Sequence, residues 1–100
     1  MALLFTSTIT LPSGVEVNNA YGRVSAVDGY TGLTVDSIVD IWASEQAFND
    51  HKEPLNGVDF KRTASVDYNR DTMGTDILAI GHDALVAALA AQGISATISL

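Results

Sequence analysis

Asp76-Ile77-Leu78-Ala79-Ile80-Gly81-His82-Asp83-Ala84-Leu85-Val86-Ala87-Ala88-Leu89-Ala90-Ala91-Gln92-Gly93 reads as one helix with both of its ends marked. Thr75 or Asp76 offers a side-chain oxygen to the first free amides, and Gly93 suits the left-handed residue that ends a helix after about Gln92. Ile77, Gly81, Leu85 and Leu89 recur every four residues and form one stripe, with Leu78 and Ala88 beside them. Glycine inside a helix costs about 1 kcal/mol relative to alanine, so Gly81 points to a place where another backbone comes close. From Ala84 to Ala91 there is no polar residue. A surface helix normally carries a polar face, so this one is expected to be buried in its own core, against a neighbour, or both.

Outward from the helix, the rest of the chain alternates as strands do. Phe5, Ile9 and Leu11 share one parity, and Thr6, Thr8 and Thr10 the other, which predicts a strand over 5–11 closed by a Pro12-Ser13-Gly14 turn. Val15 to Val27 is extended but changes parity, which places a bulge or bend near Asn18-Asn19 or Gly22. Asp28-Gly29 is the strongest hairpin signal, in a turn that runs to Gly32. Leu33, Val35, Val39 and Ile41 then line one face of a strand over 33–43. Ile38 and Trp42 lie on its other face with Asp36 and Asp40. Glu45 to Gly57 is polar and reads as a loop or the far end of a hairpin, with Phe48 and Leu55 pinned to the core. Val58 to Tyr68 alternates as a strand buried on one face. Asn69 to Gly74 reads as a loop, and Ile94 to Leu100 as a closing strand. The pattern predicts a single α+β domain over 1–100: mainly an antiparallel sheet or a small β-sandwich, with one helix at about 76–92.

The chain has 100 residues, 47% of them hydrophobic, which is enough for one core. A domain of this size is marginal on its own and is usually helped by disulfides, metals or oligomerisation. There is no cysteine, so disulfides and thiolate zinc sites are excluded and oligomerisation is the aid that composition permits. The formal net charge is -7, a field that repels nucleic acid and anionic membranes. Only 17% of residues are charged, against roughly 25% in an average domain. The surface is therefore rich in Thr, Ser, Asn, Gly and Ala, and is easily desolvated against a neighbour. The apolar start at Met1 to Phe5 lacks a basic flank and is not read as a signal peptide. No run of about 18 apolar residues predicts a membrane span.

Little in the sequence suggests chemistry. His51 lies in a polar loop and His82 on the helix; no nucleophile motif accompanies either. Asp67-Tyr68-Asn69-Arg70-Asp71 has oxygen ligands at alternate positions, as a calcium loop does. However, the required glycine and glutamate positions hold Thr72 and Leu78, and Arg70 adds positive charge. A polar turn entering a helix is the better reading. Asp36 and Asp40 would stand about 13 Å apart on one strand, too far for paired acid–base work. The basic residues form no stripe with interleaved aromatics. The reading is thus of a non-enzyme with no metal, no cofactor, no nucleic-acid partner and no membrane partner. Candidate interface residues are Tyr30, in a turn, with Gly81, Ala84, Ala87, Ala88 and Ala91 on the helix.

The segment from Thr8 to Val24, Thr8-Ile9-Thr10-Leu11-Pro12-Ser13-Gly14-Val15-Glu16-Val17-Asn18-Asn19-Ala20-Tyr21-Gly22-Arg23-Val24, resembles a small virion-protein family of tailed bacteriophages. The likeness lies in Thr-Leu-Pro-Ser-Gly followed by an extended Asn-Ala-Tyr-x-Arg-Val stretch. Trp42-Ala43-Ser44 and Pro54-Leu55 fit more loosely, and the late helix is more alanine-rich than the family's. The resemblance implies a structural subunit in the tail, baseplate or neck, made in the host cytoplasm and resident in the virion. It would be a homo-oligomer within a symmetric assembly, touching itself and other virion proteins. The alternatives are a capsid decoration protein, or a carbohydrate- or receptor-binding module using Tyr30 or Trp42. The motifs are structural and carry no catalytic residues.

Overall fold

The computed structural model describes residues 1–28, 33–55 and 58–99. Strand β1 (Ala2–Phe5) is followed by a short ribbon of β2 (Ile9–Thr10) and β3 (Glu16–Val17). Then come β4 (Tyr21–Asp28), β5 (Thr34–Trp42), helix α1 (Glu45–Asn49) and β6 (Thr63–Asp67). Helix α2 (Arg70–Met73), helix α3 (Ile77–Ala91) and β7 (Ala96–Ser99) complete the order. Five strands form one antiparallel sheet in the order β6-β5-β4-β1-β7. The fold is α+β with a single main sheet, and α3 covers one of its faces.

The register follows the alternation of the sequence. Leu3 pairs with Gly22 and Gly22 with Ile41, so these three form one inward row across β1, β4 and β5. Along β5, Val35, Ser37, Val39 and Ile41 are buried, while Asp36, Ile38 and Asp40 face out. Leu85 and Leu89 of α3 close on this surface with Leu3, Phe5, Ile9 and Ala20. Asp76 caps α3 by accepting from the Ala79 amide at 3.1 Å. Gly93 follows with φ of 81°, the left-handed conformation that ends a helix.

Several expected boundaries shift for identifiable reasons. The strand expected over 5–11 divides, because Thr6 and Ser7 turn to hydrogen-bond with Ser95 at the end of the molecule where β7 begins. The bend expected near Asn18-Asn19 is present: Asn19 has φ of 57°, and β3 and β4 lie on either side of it. The strand expected over 58–68 is regular only over β6. Arg62 still accepts from the Val39 amide, but Lys61 is turned toward Gln92 of α3. Residues 45–57, expected as loop, contain α1, whose cap Ser44 accepts from the Ala47 amide at 3.0 Å. Residues 69–74, also expected as loop, contain α2, capped by Asn69 through the Asp71 amide. The hairpin tip at Gly29 to Gly32, Asn56-Gly57 and Leu100 lie outside the described residues.

Gly81 meets the sheet at the β4–β5 boundary. A Cβ built there would stand 2.6 Å from the Ala26 Cβ and 3.2 Å from the Ser37 Cβ. Neither neighbour has a flexible end that could swing aside. The helix gains about 1 kcal/mol from Gly→Ala by propensity, but overpacking a tight contact typically costs about 1–3 kcal/mol. The steric effect should win. Gly81→Ala is expected to lower stability in chemical denaturation by about 1–2 kcal/mol, and Ala26→Gly in the same chain is expected to recover part of the loss. A Gly81→Ala variant more stable than the parent would refute this account of the helix–sheet contact.

Candidate functional site

Two surfaces and one buried side chain remain after the fold is accounted for. The first surface is the outward face of the sheet. At one end, Leu4, Tyr21 and Trp42 form a row across β1, β4 and β5. Helix α1 lays Phe48 over this row, with ring centroids 5.3 Å from Tyr21 and 4.9 Å from Trp42, the latter edge-on. The Arg23 guanidinium sits 5.2 Å from the Phe48 centroid and donates to the Tyr21 hydroxyl at 3.1 Å. Trp42 donates its indole N–H to the Lys52 carbonyl at 2.8 Å. These rings are committed to holding α1, an arrangement aromatic geometry and cation–π attraction both favour. Phe48 therefore pins to the outer face rather than to the main core, whereas Leu55 does pack against the core.

Among the described residues nothing covers the other end of that face. Val27 is 62% exposed and Ile38 38%, diagonal neighbours set among Ser25, Thr63 and Ser65. Leu33 is exposed at the same end. Of the charged groups there, Asp36 accepts from the Ser65 hydroxyl at 2.6 Å and Asp40 pairs with Arg62 at 3.1 Å, while Lys61 forms no ion pair among the described residues. The Asp40–Arg62 pair is largely solvent-exposed and contributes little to stability.

The second surface is the flank where α3 passes the edge strand β6. Ala84 and Ala88 are half-buried and Ala87 and Ala91 exposed, forming a groove wall beside Ala64 and Val66. The apolar run is thus buried on one side only, with Leu85 and Leu89 inward. Gly81, expected at an interface, is consumed by the contact with Ala26 and Ser37 and is unavailable to a partner. Tyr30 lies outside the described residues.

Among the described residues, no group of three or more His, Asp or Glu side chains converges to hold a metal. The calcium-like segment is a cap and turn: Asn69 caps α2, and the Tyr68 hydroxyl donates to the Gly74 carbonyl. His51 is exposed after α1 with φ of 58°. Among the described residues, no helix is long and apolar enough to cross a membrane.

His82 is the one buried imidazole, fully enclosed between α3 and the sheet. Its Nδ1 lies 2.7 Å from the Leu78 carbonyl, which can only accept, so Nδ1 carries the proton. Nε2 has no partner among the described residues. An unsatisfied buried polar atom costs about 1–3 kcal/mol, more than the net worth of the bond that Nδ1 makes. His82→Leu, close in volume, is expected to leave stability unchanged or raise it by about 1 kcal/mol. His82→Ala is expected to lower stability by about 2 kcal/mol through the cavity it leaves. If urea titrations show His82→Leu losing as much as His82→Ala, Nε2 has a partner after all. No protein-family model, no curated protein and no solved structure matches the chain.

Proposed function

We propose that the chain is a structural subunit of a tailed-bacteriophage virion, in the tail, baseplate or neck, acting through contacts with copies of itself and with other virion proteins. The observation that carries this reading is the outer face of the sheet, where Val27 and Ile38 stand exposed among small hydroxyl side chains and no described residue covers them. Adjacent exposed apolar side chains beside small hydroxyl groups are a surface that a neighbouring subunit can cover at modest desolvation cost. The open alanine flank of α3 adds a second such surface. Support for the virion in particular comes from the resemblance of the Thr8 to Val24 segment to the phage family. A capsid decoration protein would use the same surfaces.

The carbohydrate-binding reading draws less from the structure. Sugar stacking needs an aromatic face open to solvent, but Trp42 has Phe48 against it and its N–H bonded to Lys52.

Mass spectrometry of purified particles tests the virion reading directly: the chain is expected at a fixed stoichiometry to the other structural proteins. Sedimentation of the isolated chain is expected to show association that increases with concentration. A monomer at every concentration that is also missing from particles would remove the proposal.

A further inference from the structure

β6 ends the sheet, and its hydrogen bonds to β5 define which of its groups are open. The Tyr68 amide donates to the Leu33 carbonyl, and the Val39 amide donates to the Arg62 carbonyl. Even-numbered residues of the strand therefore address β5. By antiparallel alternation, Thr63, Ser65 and Asp67 point their N–H and C=O groups away from the sheet. Among the described residues no hydrogen bond is made to those groups. The open run has a defined limit. At Lys61 the Gln92 side chain accepts from the amide at 2.7 Å and donates to the carbonyl at 3.1 Å, closing the edge as a strand partner would.

Such an edge is normally protected by charge in its middle, by proline or by a covering loop. Here the middle holds Thr63, Ala64 and Ser65, and the charges stand at the two ends, Lys61 at one and Asp67 at the other. Neither forms an ion pair within the chain among the described residues. Opposite charges at opposite ends of a strand are self-complementary in one orientation only, the antiparallel one.

We infer that β6 pairs with β6 of a second copy of this chain, antiparallel and about a two-fold axis at Ala64. Thr63 then faces Ser65 of the partner subunit in a hydrogen-bonding pair, and Ser65 faces the partner's Thr63. The backbone pairing stops there, because Gln92 holds the Lys61 amide and carbonyl; past that end the Lys61 side chain reaches toward the partner's Asp67, and Asp67 toward the partner's Lys61. Thr–Ser pairs directly across from each other are favoured, and opposite charges at the two ends add attraction. The axis makes the interface isologous, so it closes at two copies and extends the two sheets into one. On the inward side, Ala64 and Val66 of the partner enter the groove beside Ala84, Ala87, Ala88 and Ala91, whose small side chains leave room for a strand. The other free edge, β7, is an alternative partner with less to offer. Ala-Thr-Ile-Ser carries no charge to meet Lys61 or Asp67.

This pairing rests on the assembly reading above and deepens it by naming the surface and the occupant. Its test is the monomer–dimer equilibrium of the full chain, measured by sedimentation for Lys61→Asp, Asp67→Lys and the double variant. Both positions are exposed, and circular dichroism checks that each variant keeps the fold. Each single variant puts like charges near each other twice in the dimer and is expected to weaken association by about tenfold or more. The double variant restores opposite charges and is expected to return to within about threefold of the parent. General repulsion predicts something different, because Lys61→Asp makes an acidic chain more acidic and Asp67→Lys makes it less so. Single variants that move association in opposite directions, or a double variant that fails to recover, overturn the pairing. A parent chain that associates with no sensitivity to either charge, through β7 or the outer face, overturns the pairing and leaves the assembly reading intact. A parent chain that stays monomeric also overturns the pairing, and particle composition then decides the assembly reading separately.

Discussion

The contact between Gly81 and the paired residues Ala26 and Ser37 sets the distance at which α3 rides on the sheet. Small residues on both sides allow it, and the rest of the core is arranged around the spacing that results. Leu85 and Leu89 reach Leu3, Val39 and Ile41 because their helix has been brought down at Gly81. Gly22 makes a matching allowance within the sheet. A Cβ there would meet the Val39 side chain at 2.7 Å and the Phe5 ring at 3.1 Å. Interiors are packed to crystal-like density, so a shift at either glycine would propagate through every side chain above β4 and β5. His82, the neighbour of Gly81, is fully buried, and one of its nitrogens has no partner among the described residues.

Where the sequence was legible, a single periodicity governed. α3 was legible to within a residue because its stripe, its Asp76 cap and its Gly93 terminator agree. β5 was legible because its two faces differ: Val35, Val39 and Ile41 turn in, and Asp36 and Asp40 turn out. Legibility failed where a distant partner decided the local conformation. Thr6 and Ser7 continue the alternation of β1 but leave the sheet to bond with Ser95, which lies near the other end of the sequence. The short helices α1 and α2 are not legible in the sequence because each is barely more than a turn. Their signals, Ser44 ahead of Glu45 and Asn69 ahead of Asp71, are caps that also occur in ordinary turns.

The candidate surfaces were legible in part. The alanine run announced a helix face without polar anchorage, but not which side of it would stay open. That depended on Gly81 facing the sheet, which turned Ala87 and Ala91 outward. The free edge of β6 could not be read locally, since strand order is a property of the whole topology. Phe48 shows the same limit. The sequence marks it as an anchor, but only the sheet's second face explains why Tyr21, Arg23 and Trp42 gather around it.

The pairing of β1 with β7 has a kinetic consequence. Ala2 lies across from Ser99, and Phe5 across from Ala96, so this ladder joins residues from the two ends of the sequence. Loop closure of that length is entropically unfavourable until other contacts have drawn the ends together. The β4–β5 ladder and the seating of α3 are the more local events that can do so. A chain with much of its pairing at long range belongs among the slower small folders. Until the last ladder closes, the outer backbone groups of β1 remain unsatisfied. During that interval they are open to a strand from another copy, and the time the molecule spends there sets its exposure to misassembly.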